Sequence, residues 1–281
     1  MIVFPNAKIN IGLRIVERRA DGYHNIESVM VPVGWCDILE MVPSASGRET
    51  LAVTGSALDC PPEKNLVVKA LRALEVYTGR PLPPFDIYLH KLIPDGAGLG
   101  GGSSDASSAI MMANELAGLG LTKEQMAAVA AKVGADCPFY IYNRPMLAQG
   151  IGEVLTPVEL PDLAGLGIAI VKPDAEAVST REAYAGVVPS ALGCGESLLE
   201  AVARPVAEWQ GSTLLVNDFE PTVFALRPRI ADTLERLRAY KPLYSAMTGS
   251  GAAVFGIFDN AKMAEAAIAG FEDCSCFACQ F

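Results

Sequence analysis

The sequence predicts an α+β protein, because segments that alternate apolar and polar residues are interspersed with amphipathic segments of helical period. The 281 residues suffice for two domains that share a cleft, or for one large domain. A glycine turn at 150–152 and a loop-forming stretch at 160–165 bracket the predicted boundary. We therefore divide the chain into domains at 1–155 and 156–281.

The N-terminal half is predicted to begin with a strand at 7–16, whose period of two places Lys8, Asn10 and Gly12 on one face. A strand with a polar second face can line a cleft. A polar turn with an Asp-Gly signal follows at 18–22. Further strands are predicted at 26–33, 37–42, 85–91, 139–142 and 146–149, and helices at 65–77, 106–116 and 122–132.

Two of these helices carry specific signals. Thr122 and Gln125 form a capping box that opens the helix at 122–132, and Gly134 ends it. The helix at 65–77 is stopped by Gly79, and its apolar stripe is predicted to consist of Leu66, Ala70, Leu74 and Tyr77.

The C-terminal half is predicted to form a sheet with helices on one face. Its strands are predicted at 166–172, 253–258 and 274–281, and a glycine turn at 245–251 precedes the second of them. Its helices are predicted at about 196–209, 217–225, 228–240 and 262–269. The sequence shows neither an internal repeat nor a low-complexity segment.

The composition excludes several classes of partner. The net charge of −10, from 22 basic and 32 acidic residues, disfavours nucleic acid and anionic membranes. No apolar run approaches the ~20 residues of a membrane-spanning helix, and the first ten residues lack the basic start of a secretion signal. Seven cysteines, an odd number, favour a reducing compartment. These features predict a cytoplasmic protein.

Three cysteines crowd the C-terminus as Cys274-x-Cys276-x-x-Cys279. Three thiols can ligate zinc, but the sequence offers no fourth ligand nearby, since His24 and His90 lie far away. We prefer the interpretation that a buried strand has cysteine at its apolar positions.

The stretch richest in chemical signals runs from Pro94 to Ala106. Five of its residues between Gly96 and Gly102 are glycine, so its backbone can visit positive φ. Ser103, Ser104 and Asp105 follow as predicted N-cap residues of the helix at 106–116. A glycine loop before a helix N-terminus offers N–H donors and the positive end of the helix dipole, which favours phosphate binding.

Other interpretations of this loop are weaker. No Gly-Lys-Ser/Thr follows, so it is not a Walker A loop. Gly96-x-Gly98-x-x-Gly101 matches the dinucleotide fingerprint of nicotinamide-dependent oxidoreductases, but the acidic residue expected about twenty positions later is missing. The remaining alternative is a surface turn without a ligand.

Transfer of a phosphoryl group to a hydroxyl requires that the negative charge of the phosphates be offset and that the acceptor oxygen be oriented or deprotonated. Asp136, in the turn 134–138 after a capped helix, is a candidate for the acceptor side, although such an Asp can also merely bond its own turn. Lys8 can place a cation beside such a carboxylate, but a lone edge-strand lysine more often guards against aggregation. Spacing alone leaves both alternatives open.

Two further motifs suggest contacts with a ligand. Tyr23-His24, after a turn, can stack on and hydrogen-bond a flat ring, or form a half-buried pair. Thr248-Gly249-Ser250-Gly251 can close over phosphate as a second group of N–H donors, or be an ordinary turn.

Taken together, these motifs resemble those of the GHMP kinases. The resemblance rests on the segments 5–13, 18–24, 94–106, 134–138 and 248–251, which follow in order over nearly the whole chain. The glycine loop is shared by that superfamily. The strand with Lys8 and Asn10, followed by Arg18-Arg-Ala-Asp-Gly-Tyr-His24, resembles only those members that act on a CDP-linked methylerythritol.

This resemblance implies a two-domain α+β fold with a ribosomal-S5-domain-2-like N-terminal domain and a ferredoxin-like C-terminal domain. It implies ATP with Mg²⁺, a small-molecule substrate that carries a cytidine diphosphate group, and phosphorylation of its 2-hydroxyl in the non-mevalonate isoprenoid pathway. We expect a monomer or a weak homodimer, without nucleic acid or membrane partners.

The resemblance also implies roles for particular residues. Asp136 is the base and Lys8 its partner, and Ser104 is a candidate near the metal. Met30 stands where an aromatic residue often lines the cytosine pocket. The substrate is assigned to Asn10, Tyr23, His24, Thr180 and Tyr184, and the nucleotide to Asn65, Lys91, Pro94, Asp95, Gly96, Ala97, Gly98, Leu99, Gly100, Gly101, Gly102, Ser103, Ser104 and Gly249.

Three alternatives remain at this stage. The nearest is a superfamily kinase for mevalonate, homoserine or a sugar, against which Tyr23-His24 argues. The second is a nicotinamide-binding oxidoreductase. The third, a non-catalytic nucleotide-binding module, leaves Lys8 and Asp136 unexplained.

Overall fold

The computed structural model describes residues 1–56, 61–189 and 196–281. Helices and strands alternate along these residues, as an α+β protein requires. The strands are β1 (Ile2–Val3), β2 (Asn6–Arg18), β3 (His24–Cys36), β4 (Ile38–Pro43), β5 (Thr50–Gly55), β6 (Phe85–Lys91), β7 (Met146–Gln149), β8 (Val154–Pro157), β9 (Gly167–Pro173), β10 (Tyr244–Met247), β11 (Val254–Phe258) and β12 (Cys274–Gln280). The α-helices are α1 (Leu66–Thr78), α2 (Gly101–Leu116), α3 (Lys123–Ala130), α4 (Cys137–Tyr142), α5 (Thr180–Gly186), α6 (Leu198–Val202), α7 (Glu220–Leu226), α8 (Pro228–Arg238) and α9 (Ala261–Ile268).

The chain divides into two compact units that interleave along the sequence. Unit 1 comprises Met1–Ala7, Trp35–Asp95 and Gly100–Arg144, and unit 2 comprises Lys8–Gly34, Gly96–Leu99 and Pro145–Phe281. The predicted domains, in contrast, meet at a single boundary between residues 155 and 156. That boundary stays a prediction.

Unit 1 contains a four-stranded sheet in the order β1-β4-β6-β5, in which β5 runs parallel to β6 and the other pairs are antiparallel. One face of this sheet buries Leu39, Met41, Ile87 and Leu89 because every second residue of each strand points to the same side. These side chains pack with buried residues of α1, α2 and α3.

Local signals set the helices of unit 1. The side chain of Asn65 caps α1 by accepting a hydrogen bond from the Val67 N–H at 2.9 Å, and Gly79 ends that helix in the left-handed conformation. The predicted capping box of Thr122 and Gln125 opens α3. The buried stripe of α1 is Val67, Ala70, Leu71 and Leu74, whereas the predicted member Tyr77 is 46% exposed.

Unit 2 contains the strand order β10-β11-β9-β12, and the remaining sheet has the order β2-β3-β7-β8. The predicted C-terminal strand is confirmed, since β12 pairs with β9 from Cys274 to Gln280. Cys274 and Cys276 lie beside the apolar core of unit 2, and Cys279 lies on the opposite face of the strand. Burial raises the pKa of Cys276 to about 11, so this thiol stays protonated. Within the described ranges, no three His, Cys, Asp or Glu side chains gather into a possible metal site.

The structure corrects four predicted elements. Residues 139–142 were predicted as a strand but form α4, because Phe139, Tyr140 and Ile141 are all buried and Pro138 occupies the first helical turn. The predicted helix at 196–209 is interrupted at Pro205, which leaves the short α6 followed by a 3₁₀-helix at Val206–Gly211.

The other two corrections concern where helices begin. The helix predicted at 217–225 begins at Glu220. The side chain of Asn217 accepts a hydrogen bond from the Phe219 N–H, so residues 217–219 form a turn before the helix. Helix α2 begins at Gly101 with Gly100 as its N-cap at φ 73°, so Ser103, Ser104 and Asp105 lie inside the helix and do not cap it. In the described part of the chain, no helix has the length and hydrophobicity needed to cross a membrane.

Candidate active site

The predicted phosphate loop ends at the start of the long helix α2. Gly96, Gly98 and Gly100 adopt φ values of 59°, 73° and 73°, which glycine tolerates and other residues rarely adopt. Gly100 has no side chain to cap the first N–H groups of α2, and the first turn of this helix contains no acidic residue. The helix start therefore keeps the donors and the dipole that attract an anion.

Asp136 lies half-buried just before α4, in the turn where the sequence places it. The hydroxyl of Ser107 on α2 donates a 2.7 Å hydrogen bond to the Cys137 carbonyl, within unit 1. Burial raises the pKa of Cys137 to about 11, so its thiol does not compete as a nucleophile. Helix α2 thus carries the end of the glycine loop and fixes the turn of Asp136.

Lys91, at the end of β6, lies between two carboxylates. Its Nζ donates to Asp105 at 2.7 Å and to Asp37, and each of the three side chains is at most 4% exposed. Burial alone lowers the pKa of Lys91, but Asp105 and Asp37 outweigh that effect and raise it. The ammonium therefore stays charged.

Lys8 is 3% exposed and lies in unit 2 with the first half of the glycine loop. Its Nζ donates to Asn10 Oδ1 at 2.5 Å and to the Gly98 carbonyl at 2.7 Å. Its backbone N–H donates to the Leu99 carbonyl at 3.0 Å. The lysine therefore places its charge on the loop backbone, which argues against an aggregation-guarding surface lysine.

Asn10 positions this lysine through a buried network. Its Nδ2 donates to Ser28 Oγ at 2.8 Å, and that hydroxyl donates to the Gly12 carbonyl at 2.6 Å. Its Oδ1 accepts from Lys8 and, at 3.3 Å, from the Thr248 hydroxyl. Asn10 is only 2% exposed, and its side-chain amide forms hydrogen bonds with other buried groups of the protein.

The second glycine turn meets the first within unit 2. A Cβ added to Gly98 would lie 2.1 Å from the Thr248 carbonyl oxygen, so only glycine fits there. The side-chain amide of Asn217 donates to the Met247 and Gly249 carbonyls at 2.8 and 2.9 Å and holds the second turn. The Thr180 hydroxyl lies 3.5 Å from that of Ser250 in the same turn.

The aromatic residues predicted to hold a base also lie in unit 2. The rings of His24 and Tyr184 stack with centroids 4.7 Å apart, and Phe219 meets Tyr184 edge-on at 4.8 Å. Tyr23 is 60% exposed, so its ring is accessible to a ligand. Burial, with a smaller effect of Arg18, lowers the pKa of His24 and favours its neutral form. Met30 is fully buried in β3, at 1% exposure.

The structure therefore brings the predicted residues together in two groups. One group, in unit 1, comprises Asn65, Lys91, Pro94, Asp95, Gly100, Gly101, Gly102, Ser103, Ser104 and Asp136. The other, in unit 2, comprises Lys8, Asn10, Tyr23, His24, Gly96, Ala97, Gly98, Leu99, Thr180, Tyr184 and Gly249. Their individual roles, and the pairing of Lys8 with Asp136, stay predictions.

Sequence reasoning missed the supporting residues, which are Ser28, Asp37, Asp105, Ser107, Asn217 and Phe219. One signal was available for two of them. Asp105 and Ser107 stand among the small glycine, serine and alanine residues at the start of α2, and polar residues buried inside a helix need partners. Ser28 and Asn217 offer no such local signal.

Known proteins resemble this chain in sequence and in fold. Residues 65–144 match the model of the GHMP kinases N-terminal domain, and residues 197–274 match that of the GHMP kinases C-terminal domain. A solved structure of 4-(cytidine 5'-diphospho)-2C-methyl-D-erythritol kinase superposes with a TM-score of 0.79 at 31% identity, covering 99% of this chain and 98% of that one. A mevalonate kinase from Methanococcus jannaschii has a TM-score of 0.72 at 14% identity, which shows a shared fold alone. The chain is a small-molecule kinase of the GHMP fold.

Sequence relatives narrow this class. The 4-diphosphocytidyl-2-C-methyl-D-erythritol kinase of Parabacteroides distasonis is 48% identical over 262 residues, which cover 92% of each chain. The enzyme of the same name from Porphyromonas gingivalis is 47% identical over 259 residues, again 92% of each chain. The chain belongs to the family of 4-diphosphocytidyl-2-C-methyl-D-erythritol kinases.

Proposed function

We propose that this chain transfers the γ-phosphoryl group of ATP to the 2-hydroxyl of 4-CDP-2-C-methyl-D-erythritol, a step of the non-mevalonate isoprenoid pathway. The observation that carries the proposal is the 48% identity to a kinase of that name over 92% of both chains. The aromatic residues Tyr23 and His24 support it, because they offer contacts to a cytosine ring.

The glycine loop and the start of α2 suit the donor side of the reaction. Their backbone N–H groups and the dipole of the 16-residue helix can hold the phosphates of ATP without a side-chain cation. A Mg²⁺ ion brought by the nucleotide would supply charge neutralisation, since such ions keep phosphate oxygens and waters as ligands. Ser103, which is half-buried, and Ser104, which is 1% exposed, supply the hydroxyls of the first turn of α2, and Ser104 is the residue that we assign to the vicinity of this ion.

Asp136 is the residue that we assign to the acceptor hydroxyl. Its carboxylate would accept the proton from the 2-hydroxyl as the oxygen forms its bond to phosphorus and the bond to the ADP oxygen breaks. The Ser107–Cys137 hydrogen bond and the first turn of α4 fix the turn that aims this carboxylate. Orientation of the acceptor in this way reduces the entropic part of the barrier.

Lys8 is assigned to the charge that develops during transfer. Its ammonium is held against the Gly98 carbonyl and Asn10, so its position is set before any ligand binds. A preorganised cation in a water-poor site stabilises developing negative charge more than a flexible one.

The cytosine is assigned to Tyr23 and His24, with Tyr184 as a support for the histidine. Rings stacked at 4.7 Å leave no space for a base between His24 and Tyr184. The base is therefore proposed to stack on the exposed ring of Tyr23, while His24 bonds its edge. A neutral imidazole both donates and accepts a hydrogen bond, as the edge of cytosine requires.

An ADP-release assay with four acceptors tests the proposed function. We expect turnover with 4-CDP-2-C-methyl-D-erythritol and at least 10³-fold lower kcat/KM with mevalonate, homoserine or galactose, since a pocket built around a base leaves buried polar groups unpaired without it. A preference for one of the other acceptors would contradict the proposal.

Replacement of His24 with alanine is expected to raise KM for the cytidine substrate about tenfold, the value of one hydrogen bond, with KM for ATP changed less than twofold. His90→Ala is the matched control, because the other histidine of the chain bonds Thr54 in unit 1. Steady-state kinetics with each substrate varied provide the measurement. Equal rises in both KM values would refute the assignment of His24 to the base.

A further inference from the structure

Among the described residues of unit 1, Asp37, Lys91 and Asp105 form the most buried group of charges. Asp37 is fully buried, Asp105 is 2% exposed and Lys91 is 4% exposed. The three residues come from separate parts of the chain, 54 and 14 positions apart along the sequence. Removing charges from water costs several kcal/mol for each ion, so such a cluster requires a reason.

One arm of the cluster fixes the chain just before the glycine loop. Asp37 Oδ1 accepts the backbone N–H groups of Leu92 and Ile93 at 2.6 and 2.8 Å. Its other oxygen accepts from Lys91, at the end of β6. These three consecutive residues lead directly into Pro94, the first residue of the predicted phosphate loop.

The other arm fixes the chain just after the loop. Asp105 lies in the second turn of α2, and its Oδ2 accepts from Lys91 at 2.7 Å. A Cβ added to Gly101 would lie 3.0 Å from Ile93 Cγ2 and 3.2 Å from Lys91 Nζ. The end of β6 and the start of α2 are therefore in close contact, and Lys91 bridges the two ends of the loop.

The charges argue against a direct contact between Lys91 and phosphate. Two of the three N–H donors of its ammonium point at carboxylates, and those carboxylates offset its charge. A lysine that binds phosphate acts as a point of positive charge, which this cluster does not present.

We infer that Asp37, Lys91 and Asp105 are positioning residues that hold the two ends of the 94–100 loop at the separation that ATP binding requires. Lys91 acts through the loop backbone and not as a phosphate ligand. The inference rests on the proposed function only where it takes this loop as the ATP site.

One oxygen of Asp105 shows that the cluster is not optimised for stability. Within the described residues, its Oδ1 is buried without a hydrogen-bond partner. Burial, together with Asp37, raises the pKa of Asp105 to about 7, although Lys91 opposes this effect. An apolar trio of similar volume would often be at least as stable as a buried ionic cluster, so the cluster is better explained by the geometry that it imposes.

Asp37→Ala separates the positioning role from a direct phosphate contact. If Lys91 positions the loop, the variant loses the oxygen that accepts the Leu92 and Ile93 N–H groups, and the Kd for ATP rises at least tenfold. If Lys91 touches phosphate, loss of a neighbouring negative charge leaves the Kd unchanged or lowers it. Calorimetric titration with ATP and Mg²⁺, without acceptor substrate, measures this Kd.

Amide hydrogen exchange provides a second readout, because the Leu92 and Ile93 amides lose their acceptor and should exchange at least tenfold faster in Asp37→Ala. Asp105→Ala serves if Asp37→Ala does not fold, with an expected rise in Kd of at least threefold. Leu74→Ala is the control for general destabilisation, since this fully buried residue of α1 lies outside the cluster; its Kd should stay within twofold.

Equal or tighter ATP binding by the folded aspartate variants would overturn the inference. If the unsubstituted chain fails to bind ATP, the proposed function fails instead. In that case the exchange rates of the Leu92 and Ile93 amides still test whether Asp37 holds the end of the loop.

Discussion

Asp136→Asn is expected to lower kcat for the cytidine substrate about 10³-fold while the Kd for ATP changes less than twofold. The variant keeps the size of the side chain and its place before α4 but removes the group that accepts the hydroxyl proton, and such proton transfer contributes 10²–10⁴-fold. The carboxylate belongs to the acceptor side, so the glycine loop and the start of α2 keep their N–H donors for the nucleotide.

The measurement combines single-turnover kinetics with calorimetric binding of ATP. Asp86→Asn is the matched control in unit 1, because that carboxylate lies on β6 and accepts hydrogen bonds from the hydroxyls of Ser44 and Thr50. Asp86→Asn should keep kcat within twofold. More than a tenth of the original kcat in Asp136→Asn would show that another group accepts the proton.

Elements with local signals could be predicted from the sequence. The capping box of α3 lies within four consecutive residues, and the alternating strand β6 buries every second side chain against the helices of unit 1. The glycine loop and the helix after it were predicted for the same reason. In each case neighbouring residues determine the conformation.

Elements set by tertiary contacts could not be predicted in this way. The aromatic segment 139–142 favours a strand by composition, but burial on all sides and Pro138 in the first turn make it α4. Asn217 is compatible with a helix by its position, yet its amide is required by the carbonyls of Met247 and Gly249. A single sequence does not show which distant partners a residue will contact, so it does not show where such contacts override local propensity.

The candidate site shows the same division. Lys8, His24 and Asp136 stand in recognisable motifs, and the structure places each with defined neighbours. Their supports come from distant positions: Thr248 lies 238 positions from Asn10, and Asp37 lies 54 from Lys91. The motif residues could be named as candidates because several motifs together resemble those of the GHMP kinases, whereas the supports are common polar residues that only the fold makes important.

The network around Lys8 leads to the second prediction, that Lys8→Met lowers kcat/KM for the cytidine substrate by about 10²–10³-fold, the range measured for loss of one preorganised donor. Methionine has a similar length but cannot donate to Asn10 Oδ1 or to the Gly98 carbonyl, and it removes the charge from the loop backbone. Because this charge is assigned to the transition state, kcat should fall more than ATP affinity.

Lys172→Met separates this electrostatic effect from loss of a buried lysine as such. Lys172 is 7% exposed on β9 in unit 2, and its Nζ donates to the Asp174 carbonyl at 3.2 Å, so it resembles Lys8 in burial but not in its neighbours. Thermal unfolding of both variants shows how far each substitution destabilises the fold. If the two variants prove equally stable and have the same kcat/KM, the charge of Lys8 does not act on the transferred phosphoryl group. In that case its hydrogen bonds to the loop serve only the structure.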